Sequence, residues 1–276
     1  MIELPEAAVL ADQLNRTVKG RSVSKVIAAY SPHKFAWYHG DPENYQSLLK
    51  GRMIDSAVGV GGMVEIWADN VIILLSDGVG LRYHADNKQL PKKHQLLIEL
   101  NDSSFLSASI QMYGGILCFK EGESDSMYYA VAKEKPSPIT KEFNEEYFNS
   151  IISATDLQNK SAKYVLATEQ RIPGLGNGVL QDILFAARIH PKRKTGTLSD
   201  TEKGKLYHAV KAVLKDMIDH GGRDTEKDLF GNNGGYITKL SKNTAGQPCI
   251  NCASTIVKEN YMGGSIYYCS ICQELK

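Results

Sequence analysis

A chain of 276 residues with 42% apolar and 23% charged side chains is long enough for two domains and has the mixture of a globular protein, which excludes a disordered, collagen-like or fibrous one. No apolar stretch approaches the ~18 residues of a membrane span, and the acids Glu3, Glu6 and Asp12 leave no basic leader, so a cytoplasmic protein is expected. The net charge of +1 hides an asymmetry, because residues 1–150 carry −4 and residues 151–276 carry +5, which turns the second half toward phosphates.

Residues 5–14 read as a helix, with Pro5 at its first position and Glu6 in its first turn. Eight short β-like runs follow, at 23–30, 53–58, 62–67, 71–76, 80–84, 95–100, 104–110 and 115–120, separated by Gly, Asn and Asp. Strands of that length at that spacing predict a β-sandwich or barrel-like domain. Cys118, in the last run, reads as a small buried apolar residue. The polar stretch 133–138, with Pro136 and Pro138, reads as a linker. Beyond it the period turns helical, at 141–154, 160–169, 177–187 and 199–220. The last helix opens on Ser199 and Glu202, a capping box in which each side chain satisfies an orphan backbone donor. The Gly/Asn-rich loop 231–235 reads as mobile, and no internal repeat is present.

Two motifs carry chemistry. Between two of the predicted helices lies Arg171-Ile172-Pro173-Gly174-Leu175-Gly176-Asn177-Gly178. Its glycines let backbone approach a ligand, and a helix starting at Asn177 offers free N–H groups and a positive dipole end, which makes an anion site. A tight interhelical turn without a ligand is the alternative; a dinucleotide fold is not expected, since no strand leads into the Gly-x-Gly. Cys249-x2-Cys252 and Cys269-x2-Cys272, separated by sixteen residues, have the spacing of a closed, structural four-cysteine zinc site, with two disulfides as the alternative.

Three segments, in this order, resemble one family: Met1-Ile2-Glu3-Leu4-Pro5-Glu6; the run Pro173-Gly174-Leu175-Gly176-Asn177, continued by Leu184-Phe185-Ala186-Ala187-Arg188-Ile189-His190-Pro191; and the hairpin ending Tyr267-Tyr268-Cys269-Ser270-Ile271-Cys272-Gln273. The chain resembles, over nearly its whole length, the formamidopyrimidine-DNA glycosylase and endonuclease VIII family. The resemblance implies an α+β fold, with an N-terminal β-sandwich flanked by helices in a catalytic-type domain over 1–132 and a linker over 133–140. A helical, helix-two-turn-helix DNA-binding domain would span 141–230, and a loop with the four-cysteine zinc finger 231–276. It further implies one structural Zn2+ on Cys249, Cys252, Cys269 and Cys272, and a double-stranded DNA partner containing a lesion. The protein would be a monomer with no membrane partner, cytoplasmic and nucleoid-associated when bound to DNA.

In that family a base is flipped out, the N-terminal proline amine attacks the sugar C1′, and strand cleavage follows. Glu3 matches the acid beside the nucleophile, which moves protons to the sugar and holds water. Ile2 stands where the family has proline, so the secondary amine is absent and the expected activity is N-glycosylase with a weak or absent AP-lyase step. Asn177, with Gly174 and Gly176, matches the phosphate-binding turn. Asp77, Met112 and Tyr113 fall where the family has the methionine, arginine and phenylalanine that fill the gap left by the flipped base. Met112 and Tyr113 are therefore DNA-contact candidates, with packing in the β-domain core as the alternative. No lysine falls in 58–63, where the family has a phosphate-binding one, and the hairpin tip 262–265, marked by Gly264, lacks the family arginine. The expected function is excision of a modified base during DNA repair. The rival reading is a catalytically inactive binder of damaged or abasic DNA, and a third is a zinc-stabilised protein-interaction module.

Overall fold

Pro5 lies in the first turn of helix α1 (Leu4–Thr17), where a missing N–H leaves no bond unmade. The computed structural model describes all residues, 1–276. In it α1 runs past its predicted end at residue 14 and presents two apolar faces. Leu4 enters one buried cluster, while Ala7, Leu10, Ala11 and Leu14 enter another. The helix therefore lies across the seam between two cores.

The first core is a sandwich of two sheets. Its elements are β1 (Val23–Ala28), β2 (Ala36–Trp37), α2 (Tyr45–Leu49), β3 (Ile54–Val60), β4 (Met63–Ala68), β5 (Val71–Ser76), β6 (Val79–His84), β7 (Leu96–Leu100), β8 (Phe105–Ile110) and β9 (Gly114–Lys120). One sheet has the order β1-β7-β8-β6 and the other β2-β9-β5-β4-β3, antiparallel throughout except for the parallel pair β2 and β9. Val26, Ile98 and Leu106 from one sheet meet Ile66, Ile73 and Ile116 from the other, and the α1 face closes the cluster. Strand β2 is absent from the predicted set because two residues are too few for alternation to show. Cys118 is buried on β9.

Strand β5 is buried on both faces. Its outer residues Ile72 and Leu74 pack with Phe119 under Tyr129 and Ala132 of α3 (Met127–Glu134). The polar stretch at 133–138 therefore begins inside a helix. Lys133 and Glu134 close α3, and the Lys133 ammonium reaches the buried Glu65 carboxylate at 3.2 Å. The Ser126 hydroxyl caps α3 by accepting from Tyr129 N at 3.3 Å.

The second core belongs to α4 (Glu145–Ile152), α5 (Ala162–Ala167), α6 (Asn177–Ala187) and α7 (Asp200–Asp219). Helices α4 and α5 are shorter than predicted, α6 has the predicted bounds, and α7 follows the Ser199 cap. Glu202 N donates to Ser199 Oγ at 3.3 Å and Ser199 N to Glu202 Oε2 at 2.9 Å, the reciprocal pair of a capping box. The loop at 231–235, which the sequence pattern marks as mobile, is a tight return. Gly234 N donates to Arg223 O at 3.2 Å, Gly235 N donates to His220 O at 2.8 Å, and a Cβ on Gly234 would lie 2.1 Å from Gly222 O.

Asp182 on α6 fixes the chain that leads to the cysteines, accepting from Tyr236 Oη at 3.0 Å, Lys239 N at 2.9 Å and Leu240 N at 2.8 Å. Asp182→Ala would leave these donors unpaired and is expected to lower stability by about 3 kcal/mol. The check is a lowered thermal midpoint with faster amide exchange at residues 236–240. Beyond them, β10 (Ile256–Tyr261) and β11 (Gly264–Cys269) form a hairpin whose Ile256 and Cys269 pack on Phe185 of α6. No helix is long and apolar enough to cross a membrane.

Candidate active site and nucleic-acid interface

Helix α1, helix α6 and the segment after α7 converge on Glu3. The chain before α1 runs beneath the 171–178 turn, with Leu4 N donating to Gly174 O at 2.9 Å. The Glu3 carboxylate caps α6, accepting from Gly178 N at 2.9 Å and from Val179 N at 2.8 Å. The anion that those N–H groups call for is thus supplied by the chain itself. Burial raises the Glu3 carboxyl above the ordinary carboxylate range; Arg223 opposes the rise, Glu6 adds to it, and the two N–H groups reduce it. Such a group exchanges its proton nearer neutrality than an exposed glutamate, as an acid/base catalyst must.

The turn glycines admit protein groups. Gly174 has φ +81°, and a Cβ there would lie 2.4 Å from the Gly61 carbonyl carbon; one on Gly176 would lie 2.6 Å from Glu3 Cδ, and one on Gly178 1.7 Å from Arg223 Nη1. The sequence pattern assigns Gly174 and Gly176 to a phosphate. The space beside them is instead filled by the β3–β4 turn and by Glu3, although both residues also line the cavity described next.

Glu3 lies in the wall of a cavity of about 700 Å³. Trp37, Met63, Leu74, Tyr113 and Tyr128 give it an apolar lining. The Trp37 and Tyr113 rings stand 5.9 Å apart, and burial, with Asp77 and then Glu3 adding to it, raises the Tyr113 hydroxyl. Met112 is not part of this lining; it is 67% exposed in the turn before β9. Trp37 escapes the sequence reading because it belongs to no alternating run. Ile2 packs its side chain into the sandwich core and donates its N–H to Asp77 O at 2.6 Å. As long as Met1 precedes it, this nitrogen is an amide that shares its lone pair with the Met1 carbonyl and is no nucleophile. The Met1 amine pairs with Glu226.

Across the turn, α6 meets the hairpin. Asn177 Nδ2 donates to Ser265 O at 2.9 Å, and Gln181 Oε1 accepts from Tyr267 N at 3.0 Å. Lys163 of α5 donates to Tyr261 O at 2.7 Å, so the Asn177 amide and the Lys163 ammonium flank Gly264. Lys163 meets no carboxylate, and burial lowers its ammonium below the usual lysine value. Lys163 thus puts a cation at a hairpin tip that has no arginine of its own. Nothing in the sequence singles it out from Lys160 nearby.

The four thiols of Cys249, Cys252, Cys269 and Cys272 lie within 4.8 Å of one another. The separations of 3.9 Å for Cys249 and Cys272 and 3.4 Å for Cys252 and Cys269 bracket the edge of a tetrahedron. That edge is ~3.8 Å for metal–sulfur bonds of ~2.3 Å, whereas a disulfide needs ~2.05 Å. Cys272 N donates to Cys269 Sγ at 3.3 Å and Asn251 N to Cys249 Sγ at 3.5 Å, contacts that favour thiolates. The donor set fits a metal ion.

Residues 135–228 match the family described as "Formamidopyrimidine-DNA glycosylase H2TH domain". The chain is 26% identical over 281 residues to the formamidopyrimidine-DNA glycosylase of Bacillus anthracis, covering 99% of each. It is 25% identical to that of Listeria innocua serovar 6a, covering 99% of this chain and 100% of its relative. Among solved structures, the MutM (Fpg) protein from Thermus thermophilus superposes with a TM-score of 0.82 at 20% identity, and 99% of each chain is covered. Lactococcus lactis Fpg, in complex with DNA containing an abasic site, superposes with a TM-score of 0.85 at 20% identity over the same share. The matched domain, the full-length relatives and the shared fold make the chain similar to the formamidopyrimidine-DNA glycosylases, in agreement with the capped Glu3, the interhelical turn and the cysteine hairpin.

Proposed function

We propose that this protein is a DNA N-glycosylase that excises a modified base from duplex DNA. The observation that carries the reading is the buried Glu3 carboxylate, fixed on the α6 N-terminus in the wall of a cavity large enough for a flipped-out base. Glu3 takes a proton from a water whose oxygen bonds to C1′. The C1′–N bond breaks, its electron pair leaves with the base nitrogen, and that nitrogen takes up a proton. The products are the free base and an abasic sugar bearing a hydroxyl at C1′. The carboxylate also faces the positive charge that develops on the sugar. The secondary amine of an N-terminal proline is missing, so the AP-lyase step is read as weak or absent. A carboxyl kept buried beside Glu6, with its proton held more tightly than usual, suits a group that moves protons.

Asn177 and Lys163, beside Gly264, are assigned to a lesion-strand phosphate, and Met112 and Tyr113 to the gap in the base stack. One structural Zn2+ on the cysteines shapes the hairpin and supplies no chemical step. Residues 1–132 would carry the base pocket, 141–230 the helix-two-turn-helix unit and 231–276 the finger. The protein would act as a monomer in the cytoplasm, nucleoid-associated when bound to DNA.

Duplexes carrying oxidised or alkylated bases, incubated with the protein and then treated with alkali, should break at the lesion; a broad panel that stays intact would refute the reading. Lys163→Ala is expected to weaken duplex binding about tenfold and to flatten the log–log salt dependence by ~0.9. Fluorescence anisotropy across a salt series measures both, and an unchanged slope would remove Lys163 from the interface.

A further inference from the structure

Arg223, just beyond α7, is 3% exposed and lies between α1 and α6. Its Nε donates to Glu6 Oε1 at 2.9 Å and its Nη2 to Glu6 Oε2 at 2.6 Å, while Nη1 stands 3.5 Å from Glu3 Oε2. Glu3 and Glu6 are each 5% exposed. One guanidinium therefore serves two carboxylates out of contact with bulk water, and the group is neutral only when one carboxyl holds a proton. The guanidinium is shared unequally between them. Glu6 takes both arms of the fork, and Glu3 receives a single, longer contact together with the partial charge of the α6 N-terminus.

The backbone is shaped around this head group. A side chain at Gly178 would occupy the place of Nη1. Gly222 N donates to Met217 O at 2.8 Å at the end of α7, and Gly234 N donates to Arg223 O at 3.2 Å, so the Arg223 backbone is held from both sides. The other groups facing the triad are Glu226 toward Arg223, Tyr113 from the β8–β9 turn toward Glu3, and the Gly178 and Val179 N–H groups of α6. The Met1 ammonium is paired with Glu226, which leaves Arg223 as the cation beside Glu3.

We infer that Arg223 is a positioning residue for base excision, anchored through Glu6, that holds the Glu3 carboxylate in register with the α6 N-terminus and supplies its balancing charge. The inference rests on the reading of Glu3 as the acid/base group. Without Arg223, Glu3 stays protonated to higher pH and loses one of its orienting contacts.

Replacing Arg223 alone would strand Glu6 as a buried, unpaired charge, so the decisive comparison is Glu6→Gln against Glu6→Gln/Arg223→Met, with Arg223→Lys as the variant that keeps the charge and loses the fork. In protein labelled with 13C at glutamate carboxyls, Glu3→Gln identifies the Glu3 resonance, whose titration needs no activity. The Glu3 midpoint is expected at higher pH in the double variant than in Glu6→Gln, with Arg223→Lys closer to the wild type. On a lesion duplex that the wild type cuts, the double variant's single-turnover rate at pH 7 should fall by on the order of a hundredfold. Its half-saturating duplex concentration should stay within about threefold, and its pH profile should move with the Glu3 midpoint. A purely structural Arg223 would lower the thermal midpoint and leave the Glu3 titration in place, which would overturn the inference. A Glu3 midpoint that moves in a protein excising no base would refute the glycosylase reading and uphold the charge assignment.

Discussion

Glu3→Gln is expected to lower base release by on the order of 10³-fold at pH 7 while leaving affinity for a lesion duplex within a few-fold. The amide is nearly isosteric but cannot take a proton from water. It also replaces one of the two acceptor oxygens facing Gly178 N and Val179 N with a donor, so the α6 cap is half lost. Because Glu3 is buried and faces the cleft through the cavity wall, affinity for DNA comes from other groups and should persist. Single-turnover excision and anisotropy on the same duplex separate the two effects. Equal loss of rate and binding would make Glu3 a structural residue.

The same substitution carries a stability signature. Burial raises the folded-state Glu3 carboxyl above its unfolded value, so between those values the folded state binds more protons than the unfolded one. The stabilisation from the bound proton is fully present below the ordinary carboxylate range and is lost as pH rises through the folded value. Glu3→Gln removes that dependence. Its thermal midpoint should therefore equal or exceed the wild type near neutral pH, the usual sign of a group kept for chemistry at the expense of stability.

Removing the metal proposed for the four cysteines is expected to have the largest effect on structure. Structural Zn2+ in small four-ligand modules contributes about 10–16 kcal/mol of folding free energy, and the hairpin has little else. Its buried residues are few, Ile256, Ile266 and Cys269 among them, and β10 and β11 pair only with each other. A strong chelator, or Cys249→Ser, should melt residues 249–272, free the Lys163 ammonium from Tyr261 O and the Asn177 amide from Ser265 O, and abolish specific binding. The sandwich core, which shares no residue with that hairpin, should stay folded. Zinc release assayed with a colorimetric chelator, alongside amide exchange, tests this. Hairpin amides that remain protected after the metal is gone would contradict the four-cysteine assignment.

The parts of this fold that sequence makes legible are those written locally. Helix α6 begins where Gly176 gives way to Asn177, α7 carries its own Ser199–Glu202 box, and the cysteines declare themselves by spacing. Strand β2 and helix α3 are not legible, the first because it is too short for any period and the second because its charged end merges with a proline-bearing stretch. In the site, the anion-binding character of the 171–178 turn follows from its glycines and helix start, but the identity of the anion does not. Glu3 lies 175 residues before Gly178, and Arg223 lies 217 residues after Glu6. Groups so far apart in the chain leave no local pattern, and only the clash that a Cβ on Gly178 would make with both of them reveals why that glycine is there.

Helix α1 gives Leu4 to the helical core and Ala7, Leu10, Ala11 and Leu14 to the sandwich. The rod is therefore part of both cores at once, like a pin set through two leaves. Glu3, at the entrance to the rod, sits where that pin passes the Gly174–Gly61 contact, the place at which backbone of the sandwich touches backbone of the interhelical turn. The acid is thus referenced to both halves of the protein together, and its position is set by their joint packing and by neither half alone.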